Sequence, residues 1–384
     1  MNCAPFQTMV MRNNHGGNEP CTDQGLGLLW DYIMLFSFCT ELFYKKRKSR
    51  PEFVPDESAT RLTEPSSFDN TEEQGSCNEY ARETQKMSEI KTPVRPDSVL
   101  RPLAEIYPQL YLTPGEEGAK LWSGIVGKGL SAPSSSLDHF HGSPQDSVNL
   151  EKTPAGSVMA VTLGDRQDFE LFLQIMANKC VPTAIPATQG ASILDGVINW
   201  QKIRDHEKEY LAAGGTEEGW SEEFRRFTSD KKNYRDALIV LSTGPYSAVP
   251  ASKTGMEEKE WLAASLTIRK NHECTHFICR RLFPEKIDAI WDELVADAVG
   301  LYAAFGRYDL GLASLFLGAY EDGYRPGGRL ENYVKEDEDI NELNSKAVRT
   351  LRHLDECIRT AGSPAPYDLA IILENEYDRF WKSL

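Results

Sequence analysis

Two short segments carry residue types that metal-dependent chemistry requires. The first contains His272, Glu273 and His276, and the second contains Glu293 and Asp297. Two imidazole nitrogens and one carboxylate oxygen, here from His272, His276 and Glu293, can hold a zinc ion (Zn²⁺) that keeps a fourth position open. Glu273, beside the ligands, is placed to accept a proton from water. Asp297 can hold a ring N–H of His272 and so fix which nitrogen faces the metal.

Two helices must position these side chains. The pattern predicts a first helix from about Thr254, where Thr254-Gly-Met-Glu257 resembles a capping box. His272 and His276 are four residues apart and therefore share a face of that helix. Pro284 ends the pattern, and a second amphipathic pattern runs to about Gly306. The sequence therefore predicts a helix hairpin.

The spacing around Pro284 predicts which side chains face each other. His276 precedes Pro284 by eight residues and Glu293 follows it by nine, so at about 1.5 Å per residue they lie at nearly equal height. By the same count, Asp297 is level with His272. The hairpin is therefore expected to bring the two segments together.

His-Glu-x-x-His followed by Glu-x-x-x-Asp on the next helix resembles the gluzincin branch of the zincin metallopeptidases. The resemblance covers about residues 254–306. It implies the same roles for the five residues: His272, His276 and Glu293 as metal ligands, Glu273 as general base and Asp297 as the partner of a ligand. It also implies a zincin-like α+β fold, with a small sheet packed on the active-site hairpin and a mainly helical C-terminal half.

The sequence departs from that family at several positions. Asp292 and Ala296 stand where the family often has Asn and Ser, and the upstream pattern Asn-Ala-x-x-Tyr has no match. Cys279 and Leu282 occupy the positions that would hold Gly and a third His in a metzincin, which excludes that pattern. The run from Arg269 to His276 also resembles one in uncharacterised hypothetical proteins.

The motif also has other interpretations. His272 and Glu273 could be solvated polar residues and His276 a packed one, on a helix without a metal. Cys274 and Cys279 suggest a Cys/His site, but they lie at other angular positions than the His face. A di-iron bundle needs two Glu-x-x-His elements, and this chain has one. Iron(II) or manganese also suits two His and a carboxylate.

A zinc-dependent hydrolase also needs a donor for the negative charge that develops on the substrate oxygen. The candidates by residue type are Tyr324, Arg325, Arg329 and His353. For each, an ordinary surface hydrogen bond is the competing interpretation.

Composition limits the partners and the compartment. The chain has 384 residues, 40% of them hydrophobic, so a sizeable core is available. Its net charge of -16 argues against nucleic acid as a partner. The eight cysteines have no framework spacing, which favours a reducing, cytoplasmic setting.

Residues 1–150 are expected to be mostly disordered, with a short apolar segment at 26–43. That segment contains Asp31 and Glu41 and is too short to span a bilayer, so membrane association is an unfavoured alternative. An arm at 100–121 is expected to dock in an extended form. Residues 151–384 are expected to form the metal-binding domain.

Within that domain the patterns predict several further elements. They are strands at 158–163 and 236–242, a loop leading into a helix at 185–200, and helices at 168–176, 309–320, 340–360 and 368–380. Residues 242–249 follow the best strand, and the resemblance makes them the candidate rim for a substrate backbone.

These expectations converge on a zinc-dependent hydrolase that cleaves amide bonds by metal-activated water with Glu273 as the base. Its expected substrate is a peptide or protein. Two alternatives remain open: a catalytically silent zincin-like binding or scaffold protein, and a zinc hydrolase of a small non-peptide amide. The oligomeric state does not follow from the sequence.

Overall fold

The structure is a computed structural model that describes residues 96–286, 288–335 and 338–384, which belong to one compact unit. The expectations for residues 1–95, including the apolar segment at 26–43, lie outside the described residues. The helices are α1 (Pro96–Ile106), α2 (Glu116–Lys128), α3 (Arg166–Met176), α4 (Trp200–Ala212), α5 (Glu217–Ser229), α6 (Glu258–Leu282), α7 (Ala289–Phe305), α8 (Leu310–Leu317), α9 (Ile340–Thr360) and α10 (Pro366–Glu374). The strands are β1 (Ser147–Thr153), β2 (Gly156–Leu163), β3 (Ala191–Ile198), β4 (Arg235–Ser242), β5 (Ala319–Tyr320) and β6 (Gly323–Tyr324).

The larger sheet has four strands in the order β1-β2-β4-β3. β2 and β4 are parallel, and the two edge strands β1 and β3 pair antiparallel with their neighbours. Successive residues of β4 point to opposite faces, as in any strand. Because both faces are covered, all of its residues from Ala237 to Ser242 are buried.

One face of this sheet packs on the metal-motif helix. Cys274 and Phe277 of α6 lie against Val158, Ile239 and Leu241 of the sheet. The other face packs on helices from the first part of the described chain, through Leu238 and Val240. The largest apolar cluster lies on the far side of α6, where α7 to α10 pack together. The sheet therefore supports α6 from behind while the C-terminal helices enclose it.

The fold is α+β, with a small sheet and a helical C-terminal half, as predicted. The predicted strands at 158–163 and 236–242 correspond to β2 and β4, and the predicted helices at 168–176 and 340–360 to α3 and α9. The helices predicted at 309–320 and 368–380 correspond to α8 and α10. They end earlier than predicted, at Leu317 and Glu374.

The prediction of an extended arm at 100–121 is wrong. Leu100, Leu103 and Tyr107 are fully or almost fully buried along α1 and at its end, and they belong to the same apolar cluster as β2 and β4. Their spacing of three, four and seven residues is helical. Pro102 lies inside α1, so burial of this face offsets the cost of a proline within a helix. The folded region thus begins before the predicted boundary at residue 150.

The segment 185–200 also differs from its prediction as a loop leading into a helix. Its second half forms β3, which pairs with β4 and has an irregular register between Leu194 and Val197. Gly196 lies in that interruption with φ +76°, a conformation that glycine adopts without strain. Since β3 covers one side of β4 and β2 covers the other, β4 offers no free edge to a substrate backbone.

The predicted helix hairpin is present. α6 ends at Leu282 and α7 begins at Ala289, where the Asp288 side chain accepts N–H bonds from Ile290 and Trp291. The capping box at Thr254 is wrong: Gly255 has φ +74°, and the helix begins only at Glu258. α7 ends at Gly306 as predicted, with that glycine in the left-handed conformation.

The two hairpin helices approach closely at one point. A Cβ added at Gly300 would lie 2.8 Å from the carbonyl oxygen of Ile268. Ile268 is one turn before His272, so a residue without a side chain at position 300 sets the helix separation next to the motif.

Across the described ranges, no helix combines the length and apolar character needed to cross a membrane.

Candidate metal centre

The hairpin brings the three predicted ligands into one cluster. The Nε2 atoms of His272 and His276 are 2.9 Å apart. One oxygen of Glu293 lies 3.6 Å from Nε2 of His272, and the other lies 3.5 Å from Nε2 of His276. The two imidazole rings are nearly perpendicular, with an interplanar angle of 86°. The equal heights predicted from the spacing around Pro284 are therefore found in the structure.

Each imidazole is held from behind by a carboxylate of α7. Nδ1 of His272 is 2.9 Å from an oxygen of Asp297, and Nδ1 of His276 is 2.8 Å from an oxygen of Asp292. An ionised carboxylate only accepts hydrogen bonds, so each Nδ1 donates its hydrogen. In a neutral ring this leaves Nε2 as a lone-pair donor, and both Nε2 atoms point at the same place.

The two separations between the His nitrogens and the Glu293 oxygens fit ligands of a tetrahedral zinc ion. Ligand atoms at about 2.0–2.2 Å from a shared zinc ion would lie about 3.3–3.6 Å from each other. The two nitrogen to oxygen separations, 3.6 and 3.5 Å, fall within this range. The 2.9 Å separation of the nitrogens is shorter, and it places two lone pairs in contact unless a proton or a cation lies between them.

The carboxylates around His272 and His276 favour a positive charge between the two rings. Burial alone would lower the pKa of His276, but the carboxylates of Asp292 and Glu293 raise it well above the usual value. Burial would raise the pKa of Glu293, but the hydrogen bond from His276 and the charges of His272 and Arg329 hold it well below its usual range. A metal cation and a proton would therefore compete for the same position.

Glu273 lies on the same helix, between the two His residues. The residue is 9% exposed, yet its carboxylate makes no hydrogen bond or ion pair with any residue that the structure describes. A carboxylate with little exposure usually has such a partner. The carboxylate oxygens of Glu273 are not among the enclosed side-chain atoms that lack a partner, and their charge acts on the Arg269 guanidinium.

Tyr246 belongs to this site. The sequence analysis included it only in the candidate substrate rim, residues 242–249, and gave it no contact with His272 or Asp297. Its buried hydroxyl donates to Asp297 at 2.6 Å and lies 2.9 Å from Nδ1 of His272. The next two residues, Ser247 and Ala248, both have positive φ angles, 51° and 56°. Non-glycine residues adopt this conformation at a cost, so the turn that carries Tyr246 is strained.

The buried side chain of Arg269 holds that turn in place. Its guanidinium donates to the carbonyl oxygens of Ser242, Gly244 and Pro245 at 2.7–3.1 Å. Burial lowers the pKa of Arg269 to about 10, so it remains charged at neutral pH. Arg269 thereby couples the end of β4 to α6.

Two further side chains enter from the turn after β6, Arg329–Tyr333. The Arg329 guanidinium pairs with Asp297 and lies 3.6 Å from Glu293. Burial and the nearby charge of Glu293 raise the pKa of the Tyr333 hydroxyl well above its usual value. No sequence signal indicated that Tyr333 lies near the site. Asp292 could have been predicted as the partner of His276, because the two residues are equally far from Pro284.

Of the four predicted donors, Arg329 reaches the site and the other three lie elsewhere. Tyr324 bonds the carbonyl of Gly328 and the Glu331 carboxylate, within its own turn. Arg325 is exposed and stacks on Tyr320. His353 contacts Cys357 and Glu376 on another part of the surface.

The two cysteines of the motif helix point away from the His face, as predicted. Cys274 packs against the sheet, and Cys279 contacts the carboxylate of Glu374. Burial raises the pKa of Cys274 to about 11. Neither thiol belongs to the cluster of His272, His276 and Glu293.

Residues 139–361 match the model of a family described as a family of unknown function (DUF7005), and the chain belongs to this family. The matched range includes the hairpin and the turn that carries Arg329 and Tyr333. A search of curated proteins found no match. A search of solved structures likewise found none.

Proposed function

We propose that this protein is a zinc-dependent hydrolase of amide bonds, with a zincin-like arrangement of its hairpin and a peptide as its substrate. One observation carries the proposal. Two imidazole nitrogens and a carboxylate converge within ligand distance of one another, and a carboxylate without a partner, Glu273, lies next to them on the same helix.

His272, His276 and Glu293 would hold the ion. When bound, a zinc ion supplies a positive charge that acidifies water and polarises a carbonyl group. Glu273 accepts a proton from the attacking water and returns it to the leaving nitrogen, the work of a general base and then a general acid. Among the described residues, no hydrogen bond or ion pair occupies its carboxylate, which supports this assignment.

The remaining side chains have positioning roles. Asp297 and Asp292 orient the two rings, and Tyr246 fixes the carboxylate of Asp297. Arg329 balances the negative charge of Asp297 and Glu293. Since its guanidinium is already engaged by these carboxylates, we assign it to holding them in place rather than to the substrate oxygen.

A second candidate substrate, a small non-peptide amide, is favoured by the low exposure of the site. His272 is 6% exposed and His276 is 4% exposed. β4, the strand nearest the motif helix in sequence, is paired on both sides. A small amide needs a narrower opening than an extended peptide does, and it needs no strand edge to pair with.

The test is hydrolysis by the zinc-loaded full chain of two panels, a mixed peptide library and a set of small N-acyl amides. We expect cleavage in one panel and a loss of about 100-fold or more in Glu273→Gln at unchanged zinc content, a typical cost of removing a general base. Glu258→Gln, in the first turn of the same helix, is the matched control and should retain activity.

Two outcomes would contradict the proposal. Equal rates in the wild type and Glu273→Gln would exclude Glu273 as the base. No cleavage in either panel by fully zinc-loaded protein would leave the third possibility, a catalytically silent binding or scaffold protein.

A further inference from the structure

A second group of metal-ligating side chains lies outside the hairpin. His353 and Cys357 are four residues apart on α9 and share a face of that helix. Glu376 approaches them from the turn after α10. Nε2 of His353 is 3.4 Å from Sγ of Cys357 and 3.4 Å from an oxygen of Glu376.

The geometry excludes a nucleophilic Cys-His-acid relay. In such a relay, one ring nitrogen faces the nucleophile and the other faces the acid. Here, the same nitrogen of His353 faces both Cys357 and Glu376. A thiol, an imidazole nitrogen and a carboxylate that converge in this way are arranged around a common point.

The distance between His353 and Glu376 also favours a shared ion over a direct hydrogen bond, whereas the contact between Cys357 and His353 is within the range of a hydrogen bond to sulfur. At 3.4 Å, the nitrogen to oxygen separation exceeds the usual range of about 2.7–3.2 Å for such a hydrogen bond. Ligands of one tetrahedral zinc ion, with Zn–S near 2.3 Å, would be separated by about 3.3 Å for nitrogen and oxygen and about 3.5 Å for nitrogen and sulfur. Both observed separations are close to these values.

The surroundings hold the ligands in place and leave access for an ion. The His353 ring stacks on Phe380 with a centroid distance of 3.8 Å and an interplanar angle of 7°. The second oxygen of Glu376 is 3.3 Å from a guanidinium nitrogen of Arg379. The side chains of His353 and Glu376 are each about a fifth exposed, so a water molecule can complete the coordination.

We propose that His353, Cys357 and Glu376 form a second divalent-metal site, separate from the hairpin, that takes a zinc ion and has a structural role. The mixed sulfur, nitrogen and oxygen donors suit zinc. Binding forms a bond from the ion to the Cys357 sulfur and releases the thiol proton to solvent. This proposal does not depend on the proposed function.

The position of the site indicates what it would stabilise. It links α9 to the turn directly after α10. Two residues before Glu376, the buried carboxylate of Glu374 accepts a hydrogen bond from the Trp291 indole of α7 at 3.0 Å. An ion at Glu376 would therefore help to hold α10 against the hairpin.

Cobalt(II) substitution tests this site, because a thiolate ligand gives cobalt a charge-transfer band in the near ultraviolet and the hairpin ligands include no thiolate. The full chain is used with Cys3, Cys21, Cys39 and Cys77 replaced by Ser, which removes the cysteines before residue 96. We expect about two equivalents of cobalt and a thiolate band in this protein.

Cys357→Ser should abolish the band and about one equivalent of cobalt. Cys180→Ala, which removes another buried thiol, should retain both. Glu293→Gln should lose the cobalt equivalent of the hairpin and keep the thiolate band. A failure of the hairpin site can therefore be distinguished from a failure of the second site. Circular dichroism checks the folding of each variant. If Cys357→Ser does not fold, His353→Gln, which retains the thiol, decides the question by loss of the same equivalent.

The absence of a thiolate band in the parent protein would overturn the proposal. A band that survives Cys357→Ser, or an unchanged cobalt content in His353→Gln, would overturn it equally.

Discussion

At the scale of single residues, the centre depends on how each imidazole is held. Both rings place Nδ1 on a carboxylate of α7 and Nε2 on the ligand position. A ring held in this way has a fixed orientation and, when neutral, carries its lone pair on Nε2. Asp297 has three partners, His272, Tyr246 and Arg329. Asp292 accepts a side-chain hydrogen bond from His276 alone among the residues that the structure describes.

Asp292 therefore offers the cleaner test of ring positioning. We expect Asp292→Asn to weaken zinc binding by about 10–100-fold, because the amide is a poorer acceptor for the Nδ1 hydrogen of His276. Competition with a chromophoric chelator at fixed pH measures the affinity. The exposed Asp322→Asn is the control and should bind zinc as the wild type does. An unchanged affinity in Asp292→Asn would show that this carboxylate does not position His276.

At the scale of elements, the hairpin positions the ligands through the close approach at Gly300. Gly300→Ala places a methyl group against the carbonyl oxygen of Ile268, and a backbone atom cannot move away without shifting α6 relative to α7. We expect a loss of about 1–3 kcal/mol in the free energy of unfolding together with weaker zinc binding.

Denaturant unfolding and the same chelator assay measure both effects. Gly127→Ala on α2 is the matched control, since nothing lies within 4 Å of the added carbon. That variant should be as stable as the wild type or up to about 1 kcal/mol more stable. If Gly300→Ala behaves like the control, the helix separation does not depend on that glycine.

The hairpin could be predicted from sequence because its signals are local. A helical pattern, a proline break and a second pattern determine which residues lie at equal heights, and this brought His276 level with Glu293 and His272 level with Asp297. Tyr246 could not be found in this way. Its position depends on the contacts of Arg269 with the turn after β4, between residues more than twenty positions apart in sequence.

The helix α1 was missed for a different reason. Its prolines and its polar surroundings are typical of disordered chain, but the spacing of Leu100, Leu103 and Tyr107 is that of one helix face. Their burial against the sheet outweighs the local composition. The composition therefore predicts too late a start for the folded region. The helical spacing of Leu100, Leu103 and Tyr107 predicts the buried helix that the structure shows.

At the scale of the whole molecule, a polar network ties the end of α1 and the start of α4 to the sheet. The Asp236 carboxylate of β4 accepts hydrogen bonds from the hydroxyl of Tyr107 at 2.6 Å, the amide of Asn199 at 2.7 Å and the ammonium of Lys202 at 2.5 Å. Burial would raise the pKa of Asp236, but these three hydrogen bonds lower it below the usual value.

This network predicts a pH-dependent contribution to stability. A carboxyl group whose pKa is lower in the folded state stabilises the fold above its unfolded pKa, and this stabilisation is lost as the pH falls through the folded pKa. We expect Asp236→Asn to reduce the free energy of unfolding by about 1 kcal/mol at neutral pH. The difference from the wild type should vanish in acid.

Urea unfolding at a series of pH values measures this effect, with the exposed Asp195→Asn on β3 as control. If the difference in the free energy of unfolding between the wild type and Asp236→Asn does not change with pH, the ionised carboxylate of Asp236 does not stabilise the fold.

The central claim is that the hairpin of this protein binds zinc through His272, His276 and Glu293, and metal content measures it most directly. Purified full-length wild type, Glu293→Gln, Glu273→Gln and the control Glu258→Gln are loaded with zinc, desalted and measured by mass spectrometry. We predict that Glu293→Gln holds about one equivalent less than the wild type and that the other two variants lose none. Equal zinc content in the wild type and Glu293→Gln would contradict the metal centre and, with it, the proposed hydrolase.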